Sequence, residues 1–387
     1  MSRPALEVAD ILRTHLDDLL ALRGGRLTGA EGRVVRALLA CRTAALGGHV
    51  LRCDHCAHEV VAYNSCRNRH CPKCQAKARE DWLAERQRDL LPVPYFHVVF
   101  TLPHELSRLV LGNKARLYDL LFRSAADALR ELAADPRHLG AQIGLLAVLH
   151  TWGQTLELHP HVHCVVPGGG LSPDGSRWIA SRDTFFLPVR PLARLFRGKF
   201  LAGLKALHRQ QQLAYPEGLH ELHDPATFAA HLRPLYRKDW VVYSKPPFGG
   251  PAHVLKYLAR YTHRVAIANS RLLSLRDGRV TFRYKDYAHG SRQRTMSLQA
   301  GEFLRRFLVH VLPRHFVRIR HYGFLANRRR QDALARCRHL LGVAAPPPRV
   351  EVADVAQPCP RCRQGRLLDV LALPAEPTLT ASALDTS

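Results

Sequence analysis

Apolar positions recur with helical spacing at the start of the chain. Leu12, Leu16, Leu19 and Leu20 share a face within residues 4–22, and Val34, Val35, Leu38 and Leu39 share one within 30–46. Gly24, Gly25 and Gly29 fall between the two runs and read as the turn that joins them. A charged helix is expected over 75–90, ended by Pro92 and Pro94. Tyr95–Thr101 (YFHVVFT) is aromatic and β-branched, which predicts a strand. The spacing then predicts a helix over 104–133, strands over 142–151 and 161–166, and a helix over 189–212. A short strand at Trp240–Tyr243 and a helix over 251–264 follow. Asp277 and Gly278 sit between two alternating runs, which is the signal for a tight hairpin. A helix (301–311), a strand (316–321) and a helix (329–341) complete this part. After Gly342 the periodicity fails. Pro346, Pro347 and Pro348 read as a linker, and the closing EPTLTASALDTS reads as disordered. Strands interleaved with helices, with at least one hairpin, predict an α+β fold with a largely antiparallel sheet.

The chain has 387 residues, 47% of them hydrophobic, so a sizeable core can form. No run approaches the roughly 18–20 apolar residues needed to cross a bilayer. The N-terminal stretch carries Glu7, Asp10, Asp17 and Asp18 and lacks the pattern of a signal peptide. A cytoplasmic protein with no membrane partner is expected. Lysine and arginine total 57 against 32 acidic residues, a formal +25. Such an excess repels itself unless a polyanion offsets it, which points to nucleic acid. Codon composition can favour arginine over lysine but does not explain the net charge.

Ten cysteines are present, five of them between Cys53 and Cys74. Clustered thiols in an intracellular chain point to metal rather than disulfides. Cys53-x-x-Cys56 and Cys71-x-x-Cys74 form two knuckles, and together they suit one structural Zn²⁺ in a closed tetrahedron. Cys66 and His70 lie in the loop between them as alternate ligands. Arg67, Arg69, Lys73, Lys77 and Arg79 surround the second knuckle and suggest a phosphate contact. Cys359-x-x-Cys362 is half a site, to be completed by Cys337 and His339, by another chain, or not at all.

Within LHPHVHCVV, His159, His161 and His163 alternate and would share one face of a strand. Pro160 suggests the start or the edge of that strand. Imidazoles held this way can bind a divalent ion from one side and leave the other side open. Buried core histidines are the plainer alternative. Mixed imidazole and oxygen sites accept Mg²⁺ or Mn²⁺ as well as zinc. His159, Gln154 and Glu157 are candidates for a third ligand. Further on, Tyr257 and Tyr261 are one helical turn apart, beside a basic row of Lys256, Arg260 and Arg264. Val254, Tyr257, Leu258, Tyr261 and Val265 also fit an ordinary core stripe. Around the hairpin, Arg279, Arg283 and Lys285 alternate with Val280, Phe282 and Tyr284, giving one basic face that could hold DNA or simply be solvated.

CRNRHCPKC, HPHVHCVVPGGG and KYLARY, in that order, resemble the rolling-circle insertion-sequence transposases of the IS91 type, within the two-tyrosine HUH endonucleases. The resemblance covers about residues 10–342. It implies a small helical zinc-binding domain (1–91), an HUH domain with a largely antiparallel sheet and flanking helices (92–342), and a linker, a possible cysteine knuckle and a tail (343–387). It implies His161 and His163 as ligands of a catalytic Mg²⁺ or Mn²⁺, and Tyr257 and Tyr261 as nucleophiles. The implied activity is nicking and rejoining of single-stranded DNA at the element ends and target through a 5′-phosphotyrosine. No Walker A signature is present, so unwinding would fall to host replication or helicase proteins. Rival expectations are an HUH replication initiator or relaxase, a zinc protein that only binds DNA, and a zinc hydrolase built on His159, His161 and His163.

Overall fold

Two capped helices open the chain. A computed structural model describes residues 6–245, 253, 255, 266–287, 289–344 and 357–376. Helix α1 spans Val8–Leu22, and α2 spans Gly29–Ala40. Thr28 Oγ1 accepts from Glu31 N at the start of α2, and the Glu31 carboxylate accepts from Thr28 N. This reciprocal pair satisfies donors that a helix N-terminus leaves open. A hairpin, β1 (Gly48–Cys53) and β2 (Glu59–Tyr63), precedes helix α3 (Ala76–Arg88).

The central part begins with β3 (Tyr95–Thr101), α4 (Ser107–Gly112) and α5 (Lys114–Ala134). The single helix expected over 104–133 is broken at Asn113. There the Asn113 side chain donates to the Leu109 and Ala214 carbonyls and accepts from Ala214 N, contacts invisible to a periodicity argument. Next come β4 (Gly144–Trp152), β5 (Leu158–Pro167), the short ribbon β6 (Gly169–Leu171) and β7 (Trp178–Ala180), α6 (Val189–Arg209), α7 (Pro225–Arg237) and β8 (Val242–Lys245). After a segment outside the described residues, β9 (Leu272–Arg276), β10 (Arg279–Asp286) and β11 (Arg292–Gln299) form a meander, followed by α8 (Ala300–Leu308), β12 (Ile319–Gly323) and α9 (Arg330–Leu340). A last strand, β13 (Leu367–Leu373), lies beyond the proline-rich stretch. Among the described residues no helix is long and apolar enough to cross a membrane.

The main sheet has five antiparallel strands in the order β12-β4-β5-β3-β8. The fold is therefore α+β and largely antiparallel. Phe96, Val98, Phe100, Leu145, Ala147, Leu149, Val162, Cys164 and Val166 form one face and pack with residues of α5, α6 and α7. Alternation puts Tyr95, Leu146, Val148 and Val165 on the other face, where Trp82 of α3 covers them. Pro160 is not at an edge, because β5 is the middle strand. It is tolerated because it lies at a register shift between His150 and Trp152, where the ladder with β4 is already interrupted.

A second core joins distant parts of the chain. Ile11, Leu12, Leu19, Val34, Val35 and Leu38 pack with Val280, Phe282, Phe303, Phe307 and Leu308. The turn expected at Asp277-Gly278 is present, with both residues at positive φ (50° and 68°). This is the conformation that a two-residue hairpin needs. The third sheet, β13-β1-β2, pairs the last described strand with the hairpin that follows α2.

Candidate metal centre and nucleic-acid interface

His161 and His163 point to the face of β5 that also carries Val165, beyond the apolar patch covered by Trp82. Across the ladder, His150 of β4 stands opposite His161. One ligand atom from each of His150, His161 and His163 lies within 4.8 Å of the others. The ring centroids of His150 and His163 are 4.2 Å apart, and those of His161 and His163 are 4.8 Å apart.

Both HxH histidines are oriented through Nδ1. His161 Nδ1 is 2.6 Å from the His159 carbonyl oxygen, which can only accept, so this nitrogen carries the proton and Nε2 keeps its lone pair. His163 Nδ1 is 2.7 Å from Nε2 of His97, on β3, and the two rings lie edge to edge and nearly coplanar (5°), with centroids 5.0 Å apart. A second partner that fixes tautomer and ring direction is a recurrent feature of metal-binding histidines. Burial pushes His161 and His97 down to about 4 and holds His150 and His163 well below the usual histidine range. Neighbouring imidazoles act in the same direction on His150, His161 and His163, and the Lys245 ammonium does so on His97. All are thus neutral at physiological pH, the form that ligates a metal.

The third ligands expected from the sequence have other surroundings. His159 is exposed, with its ring centroid 5.2 Å from that of His161, and its nitrogens fall outside the group. Gln154 Oε1 accepts from Lys285 N, and Glu157 pairs with Arg306 at 3.4 Å. His150 was missed because it belongs to a different strand. Its sequence signal is a lone histidine near the end of an apolar run that pairs with the HxHxH segment.

The cysteines do not form the single site expected of Cys53, Cys56, Cys71 and Cys74. Cys71 and Cys74 join Cys41 and Cys66, with sulfur–sulfur distances of 3.5 Å (Cys41–Cys71) and 3.6 Å (Cys66–Cys74). Cys41 caps the end of α2, which carries it to the second knuckle. Cys53 and Cys56 instead meet Cys359 and Cys362. Cys337 is buried in another apolar cluster and is not part of this group, nor is His339. His70 belongs to neither set. Its Nε2 accepts from Leu312 N and its Nδ1 meets Asn68 Oδ1. Arg69 donates to the Phe316 and Pro313 carbonyls, while Lys73 pairs with buried Glu7 and donates to the Cys41 carbonyl, so both are committed to the fold rather than to phosphate.

Arg279, Arg283 and Lys285 are exposed along β10, while Val280 and Phe282 are buried. Arg292 and Arg294 of β11 stand opposite Asp286 and Tyr284, and so add positive charge to the other face of the same ribbon. This basic ribbon is fastened next to the histidines, since Arg271 donates to the Gln154 carbonyl in the β4–β5 turn. Lys256, Tyr257, Arg260, Tyr261 and Arg264 lie outside the described residues.

Comparison with known proteins agrees with this architecture. A family model described as a transposase zinc-binding domain matches residues 11–102, and one described as a putative transposase matches 144–332. A putative transposase, y4qJ, from Sinorhizobium fredii is 51% identical over 383 residues, covering 96% of each chain. The transposase for insertion sequence element IS801 of Pseudomonas savastanoi pv. phaseolicola is 33% identical over 344 residues, covering 84% of this chain and 78% of its own length. No solved structure matches. Full-length similarity to these two relatives, with both domain matches in order, shows that the chain belongs to the insertion-sequence transposases of the IS91 and IS801 type, with a zinc-binding domain at its N-terminal end.

Proposed function

We propose that this transposase cuts and rejoins single-stranded DNA through a 5′-phosphotyrosine, using Tyr257 and Tyr261 as nucleophiles beside a cation held by His150, His161 and His163. The observation that carries the reading is the trio of neutral imidazoles, two of them aimed by second partners. A bound Mg²⁺ or Mn²⁺ would draw charge from a non-bridging oxygen of the scissile phosphate. One tyrosine attacks phosphorus in line, the 3′-hydroxyl leaves, and the phosphodiester's energy is kept in the new bond. A second tyrosine allows a second cut while the first end stays attached.

Further support comes from the ends of the stretch that carries the tyrosines. It leaves β8 at Lys245, opposite His97 in the ladder, and the chain returns at Ala266 and Ile267, packed in one cluster with Leu156 of the β4–β5 turn. Both ends thus lie beside the histidines. The basic ribbon of Arg279, Arg283 and Lys285 would track the DNA backbone, and Lys256, Arg260 and Arg264 would bind DNA as well. Host replication or helicase proteins would supply the single strand, in the cytoplasm at the nucleoid. The division into units at 91 and 342 belongs to this reading too, although α1 and α2 share a core with residues 266–311. A hydrolase built on His159, His161 and His163 is disfavoured, since it is His150 and not His159 whose ligand atom closes on those of His161 and His163.

The test is incubation with labelled single-stranded DNA from the element ends and Mn²⁺, followed by denaturing electrophoresis. The wild type should form a covalent adduct that Tyr257→Phe or Tyr261→Phe diminishes and the double variant abolishes. An adduct that persists in the double variant would overturn the assignment.

A further inference from the structure

The zinc-binding domain spans residues 11–102. Six cysteines lie in that span, and Cys41, Cys66, Cys71 and Cys74 close on one another. Cys53 and Cys56 are left over, and they face Cys359 and Cys362 from the other end of the chain. We propose that Cys53, Cys56, Cys359 and Cys362 hold a second Zn²⁺, which locks the C-terminal knuckle onto the N-terminal hairpin.

The sulfur geometry fits a metal and not disulfides. Cys53–Cys362 and Cys56–Cys359 are each 3.7 Å apart, and all four sulfurs lie within 4.8 Å of one another. Zinc–sulfur bonds of about 2.3 Å in a tetrahedron give edges of about 3.8 Å, whereas a disulfide needs about 2.0 Å.

The two knuckles repeat one backbone pattern. Cys53 N donates to the His58 carbonyl and Ala57 N to that of Cys53, while Cys359 N donates to the Gly365 carbonyl and Arg363 N to that of Cys359. Ala57 and Arg363, each following the second cysteine, are both left-handed (φ 55° and 59°). Backbone N–H groups also point at sulfur. His55 N and Cys56 N lie 3.4 Å from Cys53 Sγ, and Gly365 N lies 3.4 Å from Cys362 Sγ. The knuckles interlock as well. Asp54 N donates to the Arg366 carbonyl, and Arg366 N donates to Asp54 Oδ1 at 2.8 Å. A Cβ on Gly365 would lie 2.5 Å from both Cys53 Sγ and Asp54 Oδ1, so only glycine permits this approach.

Packing alone does not account for the contact. Among the described residues the local apolar cluster has only Cys53, Cys359 and Leu367 fully buried, and Leu368, Val370 and Leu371 on β13 are exposed. So small a core needs a metal or a similar staple. Four thiolates leave no open coordination position, so the role is structural.

The test is metal content by mass spectrometry on the full-length protein, before and after Cys359→Ser/Cys362→Ser. The wild type should hold one zinc per chain more than the variant, and the variant should keep the zinc of Cys41, Cys66, Cys71 and Cys74. Equal zinc in both proteins would overturn the proposal. ¹¹³Cd NMR of the cadmium-loaded wild type needs no variant. Two resonances in the four-sulfur range are expected, and a single one would overturn it. Because neither measurement uses DNA, their outcome is independent of the phosphotyrosine reading.

Discussion

His97 offers a sharp test of how the metal centre is held. It touches no expected ligand position itself, but its Nε2 lies 2.7 Å from His163 Nδ1. For His163 to present Nε2 to a cation, its Nδ1 must carry the proton and donate to His97. His97→Phe removes the acceptor and keeps a planar ring in its place, so most of the packing survives. Loss of such an orienting partner typically weakens metal binding by about 10- to 100-fold. That corresponds to about 1.4–2.7 kcal/mol. The assay is adduct formation on single-stranded DNA against Mn²⁺ concentration. We expect the midpoint to rise by about 10- to 100-fold while the plateau at saturating Mn²⁺ is largely kept. A normal melting profile would show that the fold is intact. An unchanged midpoint in the folded variant would refute the orienting role. A lost plateau with an unchanged midpoint would mean that His97 acts on the chemistry and not on the cation.

Other parts of the structure give their own expectations. Phe303 is fully buried 5.7 Å from Phe282, in the core that α1 and α2 share with α8, so Phe303→Ala should cost about 3–5 kcal/mol by chemical denaturation. A loss under 1 kcal/mol would contradict that shared core. Burial holds His310 down to about 3 and His321 to about 4, below the ~6.5 of an unfolded histidine. The unfolded chain therefore binds protons first, and stability should fall as pH drops from about 6.5 toward 4. His310→Gln should flatten that fall, measured with zinc in excess, and a stability that rises on acidification would contradict the sign. Removing the charges of Arg279, Arg283 and Lys285 together should reduce the salt dependence of single-stranded DNA binding by about two units of log–log slope, at about 0.7 per lost phosphate contact. An unchanged slope would take the ribbon out of the DNA path.

What could be read from the sequence was set by short-range geometry. The HxHxH run betrays itself because a strand repeats every two residues, and Asp277-Gly278 because few residues accept positive φ. His150 required the register between two strands, which no local pattern carries. The cysteines show the same limit. Each CxxC knuckle was legible, but equal spacing says nothing about which knuckle meets which. Cys41 sits at a helix end, and Cys359 is some 300 residues from Cys56, so only the fold could sort them into two groups. Strand β13 was hidden because LLDVLAL follows a proline-rich stretch that ends the visible pattern, and β11 because RQRTMSLQ is mostly polar and exposed. Tyr257 and Tyr261 rest on the KYLARY resemblance and on the positions of Lys245 and Ala266.

Mn²⁺ binding followed by electron paramagnetic resonance bears most directly on the cation site. Wild type carrying zinc on its cysteines, with no free zinc present, should take up one Mn²⁺ per chain. His150→Ala, His161→Ala and His163→Ala should each lose it, and His159→Ala should keep it. If His150→Ala bound Mn²⁺ as tightly as the wild type, the three imidazoles would not be the cation's ligands, and the proposed chemistry would lose its foundation.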